Sequence, residues 1–281
     1  MKKIMVTGCN GQLGRAINQE VKGKKDICIC NTDVDDLDIT RLEDVITYVE
    51  QEKPDYIINC AAHTAVDACE TQEESAYRIN AIGPRNLSIA ANQVSATMVH
   101  ISTDYVFSGD DNKKYNEFDQ VNPQGVYGKT KLVGENFVKE FAKKYFILRT
   151  AWLYGEGKNF VQTMLRLSET NDTVRVVGDQ FGTPTSTKEL AKAIIKLLKT
   201  REYGTYHATC EGECSWSEFA QEIFKLARKD VKVEAITTEE YNAQTKRPAY
   251  SVLENYMFAL TTDIKFAHWQ EALAEYMEQL N

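Results

Sequence analysis

The most constraining feature is the order of the first 150 residues, where short apolar runs alternate with longer amphipathic stretches. Lys3–Thr7, Asp26–Asn31, Tyr56–Cys60, Thr97–Ser102 and Tyr145–Thr150 read as strands. Gln12–Val21, Arg41–Gln51, Glu73–Gln93 and Tyr127–Lys143 read as helices between or before them. The strands are short and almost wholly apolar, as expected where helices cover both faces of a parallel sheet. This alternation predicts an α/β fold built on a doubly wound parallel sheet. Right-handed crossovers then bring every strand's carboxyl end to one edge, where such sheets bind ligands.

The first loop at that edge is Thr7-Gly8-Cys9-Asn10-Gly11-Gln12-Leu13-Gly14. Glycines at 8, 11 and 14 permit a tight turn, close backbone approach to a pyrophosphate, and close helix–strand packing. The anion would sit on the free N–H groups and dipole of the following helix. The spacing is GxxGxxG rather than GxGxxG, so its position after the first strand carries more weight than the glycines themselves. An acidic residue is expected some 20 residues on, to hold the adenosine ribose. In Asn31-Thr32-Asp33-Val34-Asp35-Asp36-Leu37-Asp38, Asp33 is best placed for that, and Asp38-Ile39 falls near the adenine. Asp35 and Asp36 read as a solvated acidic loop. Four carboxylates here repel a 2′-phosphate, which favours NADH over NADPH. Residues 1–150 are thus expected to form a Rossmann-type NAD(P)-binding domain. Residues 151–281 read mainly as a smaller C-terminal substrate-binding lobe, interleaved with the first because no Gly/Ser- or Pro-rich linker separates them.

Two further motifs fall at the same edge. In Tyr127-Gly128-Lys129-Thr130-Lys131, positions i and i+4 share one helix face, so phenol and ammonium can meet. A phenol of pKa near ~10 becomes a better proton donor beside a cation. Spacing alone decides little, because Tyr154-Gly155-Glu156-Gly157-Lys158 has it too. That copy runs through two glycines and reads as a loop, a decoy. Ser102-Thr103-Asp104-Tyr105 closes the fourth strand, where Thr103 could hydrogen-bond a substrate carbonyl.

Composition narrows the partners. The 33 Lys+Arg and 41 Asp+Glu leave a formal charge of −8, without a basic block. That argues against nucleic acid and against a polybasic membrane surface. No apolar run approaches the ~20 residues of a membrane span, and the N-terminal segment lacks a signal peptide's apolar stretch, so a cytoplasmic protein is expected. The seven cysteines form no CxxC pair and lack partners at zinc-site spacing, which predicts reduced thiols and no bound metal.

Together these motifs resemble the extended short-chain dehydrogenase/reductase superfamily. Asn59-Cys60-Ala61-Ala62-His63-Thr64-Ala65-Val66-Asp67, Arg149-Thr150-Ala151-Trp152-Leu153-Tyr154-Gly155, Asp179-Gln180-Phe181-Gly182-Thr183-Pro184-Thr185 and Arg247-Pro248-Ala249-Tyr250-Ser251 narrow the resemblance to the dTDP-4-dehydrorhamnose reductase family. The resemblance implies reduction of the C4 ketone of a dTDP-4-dehydro-6-deoxy sugar by NADH or NADPH. Tyr127 would then donate the proton, Lys131 hold the nicotinamide ribose and lower the phenol pKa, and Thr103 polarise the carbonyl. Gly8, Gly11, Gln12, Leu13 and Gly14 would meet the pyrophosphate, with Ala62, His63, Thr64 and Ile101 further along the cofactor. Val66, Thr103, Asp104, Tyr105 and Trp152 would meet the sugar, and Arg247 a substrate phosphate. The resemblance also implies a dTDP-sugar partner and allows a homodimer. Among related enzymes, 4,6-dehydratases carry an Asp-Glu pair after that Thr, whereas here Asp104 precedes Tyr105. Epimerase-reductases of the fucose type use a Cys and a His there, and the segment from Leu87 to Phe160 has no Cys and only His100. The remaining alternatives are another sugar-nucleotide reductase and a non-catalytic nucleotide-binding subunit of the methionine adenosyltransferase type. Thr103, Asp104 and Trp152 favour the enzyme.

Overall fold

The computed structural model describes residues 1–242 and 245–280. Six strands form one parallel sheet: β1 (Lys2–Thr7), β2 (Ile27–Thr32), β3 (Tyr56–Asn59), β4 (Thr97–Thr103), β5 (Tyr145–Thr150) and the strand Gly204–His207. Their spatial order is Gly204–His207, β5, β4, β3, β1, β2. The direction of winding reverses between β1 and β3, so the crevice above β1 is the switch point at which such sheets bind ligands. Register aligns the carboxyl ends: Thr7 faces Asn59 and Thr32, and Thr103 faces Thr150.

Alternation within each strand divides the core. Ile4, Val6, Ile58, Val99, Phe146 and Leu148 pack on one face against α1 (Gln12–Val21) and the helix Thr187–Leu197. Met5, Ile57, Met98 and Ile147 pack on the other, with α2 (Leu42–Glu52) and the helices that follow β3. Both faces being buried explains why the strands read as unbroken apolar runs. A third cluster, around Tyr154, Met164, Phe219, Ile223, Trp269 and Leu273, forms the core beyond β5. The helix Trp216–Leu226 in this core is opened by Ser215 and Glu218 in a reciprocal capping box.

The single helix expected over Glu73–Gln93 is instead segmented. It comprises α3 (Val66–Thr71), α4 (Glu73–Tyr77), a π-helical turn Arg78–Ile82 and α5 (Gly83–Gln93). Pro84 has no N–H to return to the Asn80 carbonyl, so the ladder widens there. That carbonyl faces α6 (Val126–Phe141) so closely that a Cβ on Gly134 would lie 2.2 Å from it. Two short strands follow residue 178: Phe181–Gly182 pairs with Cys214–Ser215, and Thr185–Ser186 with Leu153–Tyr154. Among the described residues all seven cysteines are free thiols, and no helix is long and apolar enough to cross a membrane.

Candidate active site

At the switch point the chain turns from β1 into α1 through Gly8, whose φ of +64° needs glycine. A Cβ there would meet the Ala61 nitrogen at 2.8 Å, and one on Gly14 the Gly8 carbonyl at 2.5 Å. The turn is therefore pressed against both β3 and its own helix. Gly11 occupies the N-cap without a side chain to satisfy the first N–H groups of α1, and no acidic residue stands in the first turn. That leaves an uncapped, positively polarised helix end beside a crowded glycine turn, a good fit for a pyrophosphate. Leu13 is buried in the core with Val6 and Ile17, so only its backbone can serve an anion.

Asp33 stands at the end of β2, where its Oδ2 accepts from the Asn10 N–H at 3.0 Å. The carboxylate is thus tied to the glycine turn. Asp38 is spent locally, accepting from the Thr40 N–H and hydroxyl at 2.9 and 2.8 Å. Ile39 is buried against Gly83, and its carbonyl accepts from Asn86 at 3.0 Å. Of the two, Asp38 is the more exposed.

Beyond β3, Asn59 knits the edge: its Oδ1 accepts from Thr7 at 2.7 Å and from the Ala61 N–H at 3.2 Å. Ala62 and His63 are partly open and Thr64 exposed. The His63 backbone is clamped by Asn80 (2.8 and 3.1 Å), and its ring meets Cys69 at 3.4 Å and Gln72 at 3.1 Å. Asn80 also donates to Thr130 on α6 at 3.1 Å, so the π-turn fixes two walls of the crevice at once.

Helix α6 carries Tyr127 and Lys131 in its first two turns. Gly125, its N-cap, supplies no side chain. Instead Glu70 on α3 accepts from the Val126 N–H at 2.8 Å. Lower on the helix Glu135 is fully buried and takes Arg149 of β5 through two bonds of 2.9 and 2.8 Å, plus Ser102 at 2.6 Å. The salt bridge locks α6 in register with β4 and β5.

Thr103 lies at the last residue of β4; its hydroxyl donates to Asp104 Oδ1 at 2.9 Å and accepts from the Tyr105 N–H at 3.2 Å. Tyr105 meets Tyr127 edge-on, with ring centroids 5.4 Å apart. Burial pushes the Tyr127 phenol above its usual range, while the Thr103 hydroxyl beside it pulls the other way. Burial likewise pushes Asp104 up to about 6, against the Thr103 and Ser251 hydroxyls. Lys131 is 2% exposed, and burial brings its ammonium down to about 8. Its Nζ donates to the Ile101 carbonyl at 2.5 Å. Lys131 is thus held at the Ile101 carbonyl of β4, and Tyr127 lies beside the Thr103 hydroxyl.

The sugar-side residues divide. Val66 opens α3, while Thr103, Asp104 and Tyr105 lie together at the end of β4. Trp152, at a φ of +47°, stacks on Trp216 with centroids 3.5 Å apart and covers Gly182, which joins it to the C-terminal core. Arg247 pairs with Asp67 at 3.0 Å and lines a small cavity with Tyr105. Sequence reading missed Asn59, Asn80, Glu70 and the Glu135–Arg149 pair. Asn59 was within reach, since a polar residue ending an apolar strand at the ligand edge is itself a signal. The others act across 14 to 56 positions and leave no local trace.

A parallel sheet wound about this switch point, with an open glycine turn and a Tyr–Lys helix over β4, defines the extended short-chain dehydrogenase/reductase class. Within it, residues 1–281 match the family described as RmlD substrate binding domain. The chain is 41% identical to the spore coat polysaccharide biosynthesis protein SpsK of Bacillus subtilis, across 99% of this chain and 98% of that one. A dTDP-4-dehydrorhamnose reductase from Clostridium acetobutylicum superposes with a TM-score of 0.97 at 56% identity, covering 99% of each chain. The Bacillus anthracis dTDP-4-dehydrorhamnose reductase, solved in complex with NADP, gives 0.96 at 44% identity over 99% of this chain and 100% of that one. The chain belongs to this family, alongside the dTDP-4-dehydrorhamnose reductases.

Proposed function

We propose that this protein reduces the C4 ketone of dTDP-4-dehydro-6-deoxy-L-mannose to the alcohol, giving dTDP-L-rhamnose. The observation that carries the reading is the placement of Tyr127 beside Thr103 at the sheet edge that also presents the open glycine turn. A bound dihydronicotinamide supplies the hydride. Gly8, Gly11, Gln12 and Gly14 hold its pyrophosphate, Asp33 the adenosine ribose, and Ala62, His63 and Thr64 the intervening wall. Lys131 and the Ile101 carbonyl hold the nicotinamide ribose. Tyr127 Oη gives its proton to the C4 oxygen as the carbonyl π bond opens. Thr103 swings its hydroxyl proton from Asp104 Oδ1 to that oxygen, and the freed Oδ1 accepts a sugar hydroxyl. Burial of the phenol keeps it protonated until transfer, and the buried ammonium one turn away then stabilises the phenolate. Val66, Tyr105 and Trp152 enclose the sugar and Arg247 takes a phosphate.

The protein accepts NADH and NADPH, with NADH favoured, because the Asp33 carboxylate occupies the position a 2′-phosphate would approach. Residues 1–150 chiefly bind the cofactor and 151–281 chiefly the substrate, in a cytoplasmic homodimer. Light scattering reads the dimer as twice 31.9 kDa. The principal test follows loss of the reduced-nicotinamide absorbance with the dTDP-keto sugar supplied, and identifies the product by chromatography against dTDP-L-rhamnose. Oxidation no faster than without the sugar would contradict the proposal. The ratio of kcat/KM for the two cofactors tests the preference, and a ratio favouring NADPH overturns it.

A further inference from the structure

Beside the reacting groups lies an ion pair that the chemistry above leaves half explained. Arg247 Nη2 donates to Asp67 Oδ2 at 3.0 Å, joining residues 180 positions apart. Arg247 Nε and Asp67 Oδ1 are both buried, and neither has a hydrogen-bond partner among the described residues. The pair flanks Tyr105, whose phenol feels the guanidinium and the carboxylate in opposite senses. Tyr105 in turn lies edge-on to Tyr127 at 5.4 Å. Arg247 and Tyr105 line one small cavity with Ser108, Gln124 and Gly125, the last being the N-cap of α6.

Stability does not account for this arrangement. The Arg247 and Asp67 side chains are 26% and 43% exposed, and ion pairs so placed contribute little. A buried donor and a buried acceptor without partners cost more than such a pair returns. Both orphan atoms belong to groups that recognise a sugar nucleotide: a guanidinium N–H for a phosphate oxygen, and a carboxylate oxygen for a hydroxyl. A guanidinium is a rigid planar fork, so fixing one arm fixes the direction of the others. Asp67 can do this because α3 is itself pinned, through Glu70 to the start of α6 and through Cys69 to His63.

We propose that Asp67 is a positioning residue that holds the Arg247 guanidinium beside Tyr105, leaving its Nε–H for an oxygen of the substrate's diphosphate. This rests on the reading of the substrate as a sugar nucleotide. The probe is dTDP, titrated calorimetrically into the full chain and into Asp67→Ala, Asp67→Asn, Arg247→Ala and the double Asp67→Ala/Arg247→Ala variant. Loss of a charge-assisted contact predicts about tenfold weaker dTDP binding for each alanine variant. KM for the keto sugar rises by a similar factor, while kcat stays within about threefold. The double variant binds no more weakly than Arg247→Ala, because both changes remove one interaction. Asp67→Asn keeps an acceptor for the guanidinium and recovers part of the affinity. Unchanged NADH binding and thermal midpoint show that the variants are folded.

Wild-type dTDP affinity and KM in Asp67→Ala overturn the proposal, as do strictly additive losses in the double variant. Turnover of the keto sugar by wild type without measurable dTDP binding overturns the Asp67 assignment alone. If wild type binds dTDP in the predicted pattern but fails to oxidise NADH with the keto sugar, the reductase reading falls and this assignment stands.

Discussion

The chain carries the Tyr-x-x-x-Lys spacing twice, and the two copies come to opposite ends. Tyr127 and Lys131 sit one turn apart on α6, both packed against the end of β4. Tyr154 ends the short strand Leu153–Tyr154, and Lys158 is exposed on the loop that follows. Gly157 breaks that loop at a φ of +112°, so phenol and ammonium share no face. Tyr154 is a core residue, its ring 5.3 Å from Tyr276 and 5.7 Å from Phe219. Burial raises both phenols. What separates them is the neighbour: Tyr127 has the Thr103 hydroxyl, while the Tyr154 hydroxyl is buried with no partner among the described residues. Spacing offers a geometry; the strand end beneath it makes that geometry chemical.

Removing each hydroxyl is the sharpest way to break the comparison. Tyr127→Phe is expected to lower turnover by roughly 10²–10⁴-fold, as for loss of a general acid, with NADH binding retained. Tyr154→Phe is expected to keep wild-type turnover and to be neutral or slightly stabilising, since it removes an unsatisfied buried group. Steady-state kinetics and thermal unfolding of the two proteins decide this. Equal losses of activity would erase the distinction.

The lysines come next. Lys131→Met is expected to weaken NADH at least about tenfold through loss of a charge-assisted contact, whereas Lys158→Met is expected to do nothing measurable. Lys131 also has a signature in stability. Its folded pKa, about 8, lies below the ~10.4 of an unfolded lysine, so the unfolded chain binds more protons between those values. Wild type should therefore gain stability relative to Lys131→Met as pH rises from about 8 towards ~10.4, with the full penalty present below 8. Denaturant titrations across that window check the sign; a constant difference would contradict it.

Two smaller effects sharpen the same point. Asp104, raised to about 6, is charged at a cost above that pH. Asp104→Asn should unfold at a higher temperature than wild type at pH 7, with the gap closing towards pH ~4, while losing affinity for the sugar. Glu70→Ala removes the carboxylate on the N-terminus of α6 and should cost about 1 kcal/mol, with a several-fold fall in kcat as Tyr127 loosens. Glu70→Gln should restore most of the fall. Wild-type kcat in Glu70→Ala would show that the cap is structural only.

Most of the fold was legible because both faces of the sheet are covered, and that leaves an unambiguous run of apolar strands before the glycine turn. The segmented helix after β3 was not, because its break depends on Pro84 together with the approach of α6 to the Asn80 carbonyl, a contact across the fold. Tyr127, Lys131 and Thr103 could be placed on one edge from their order alone. Their partners could not: that Lys131 reaches the Ile101 carbonyl, or that Glu70 caps a helix 56 residues on, follows from packing that no local pattern records.

Hydride transfer to the sugar's C4 is tested most directly by isotope. NADH deuterated at the transferable position of the nicotinamide ring, in each of its two stereochemical forms, is supplied with the dTDP-keto sugar, and the product is read by NMR. One form should place a single deuterium at C4 of dTDP-L-rhamnose, and Tyr127→Phe should slow its appearance without moving it. Deuterium at another carbon, or a product without label from either form, would contradict the account.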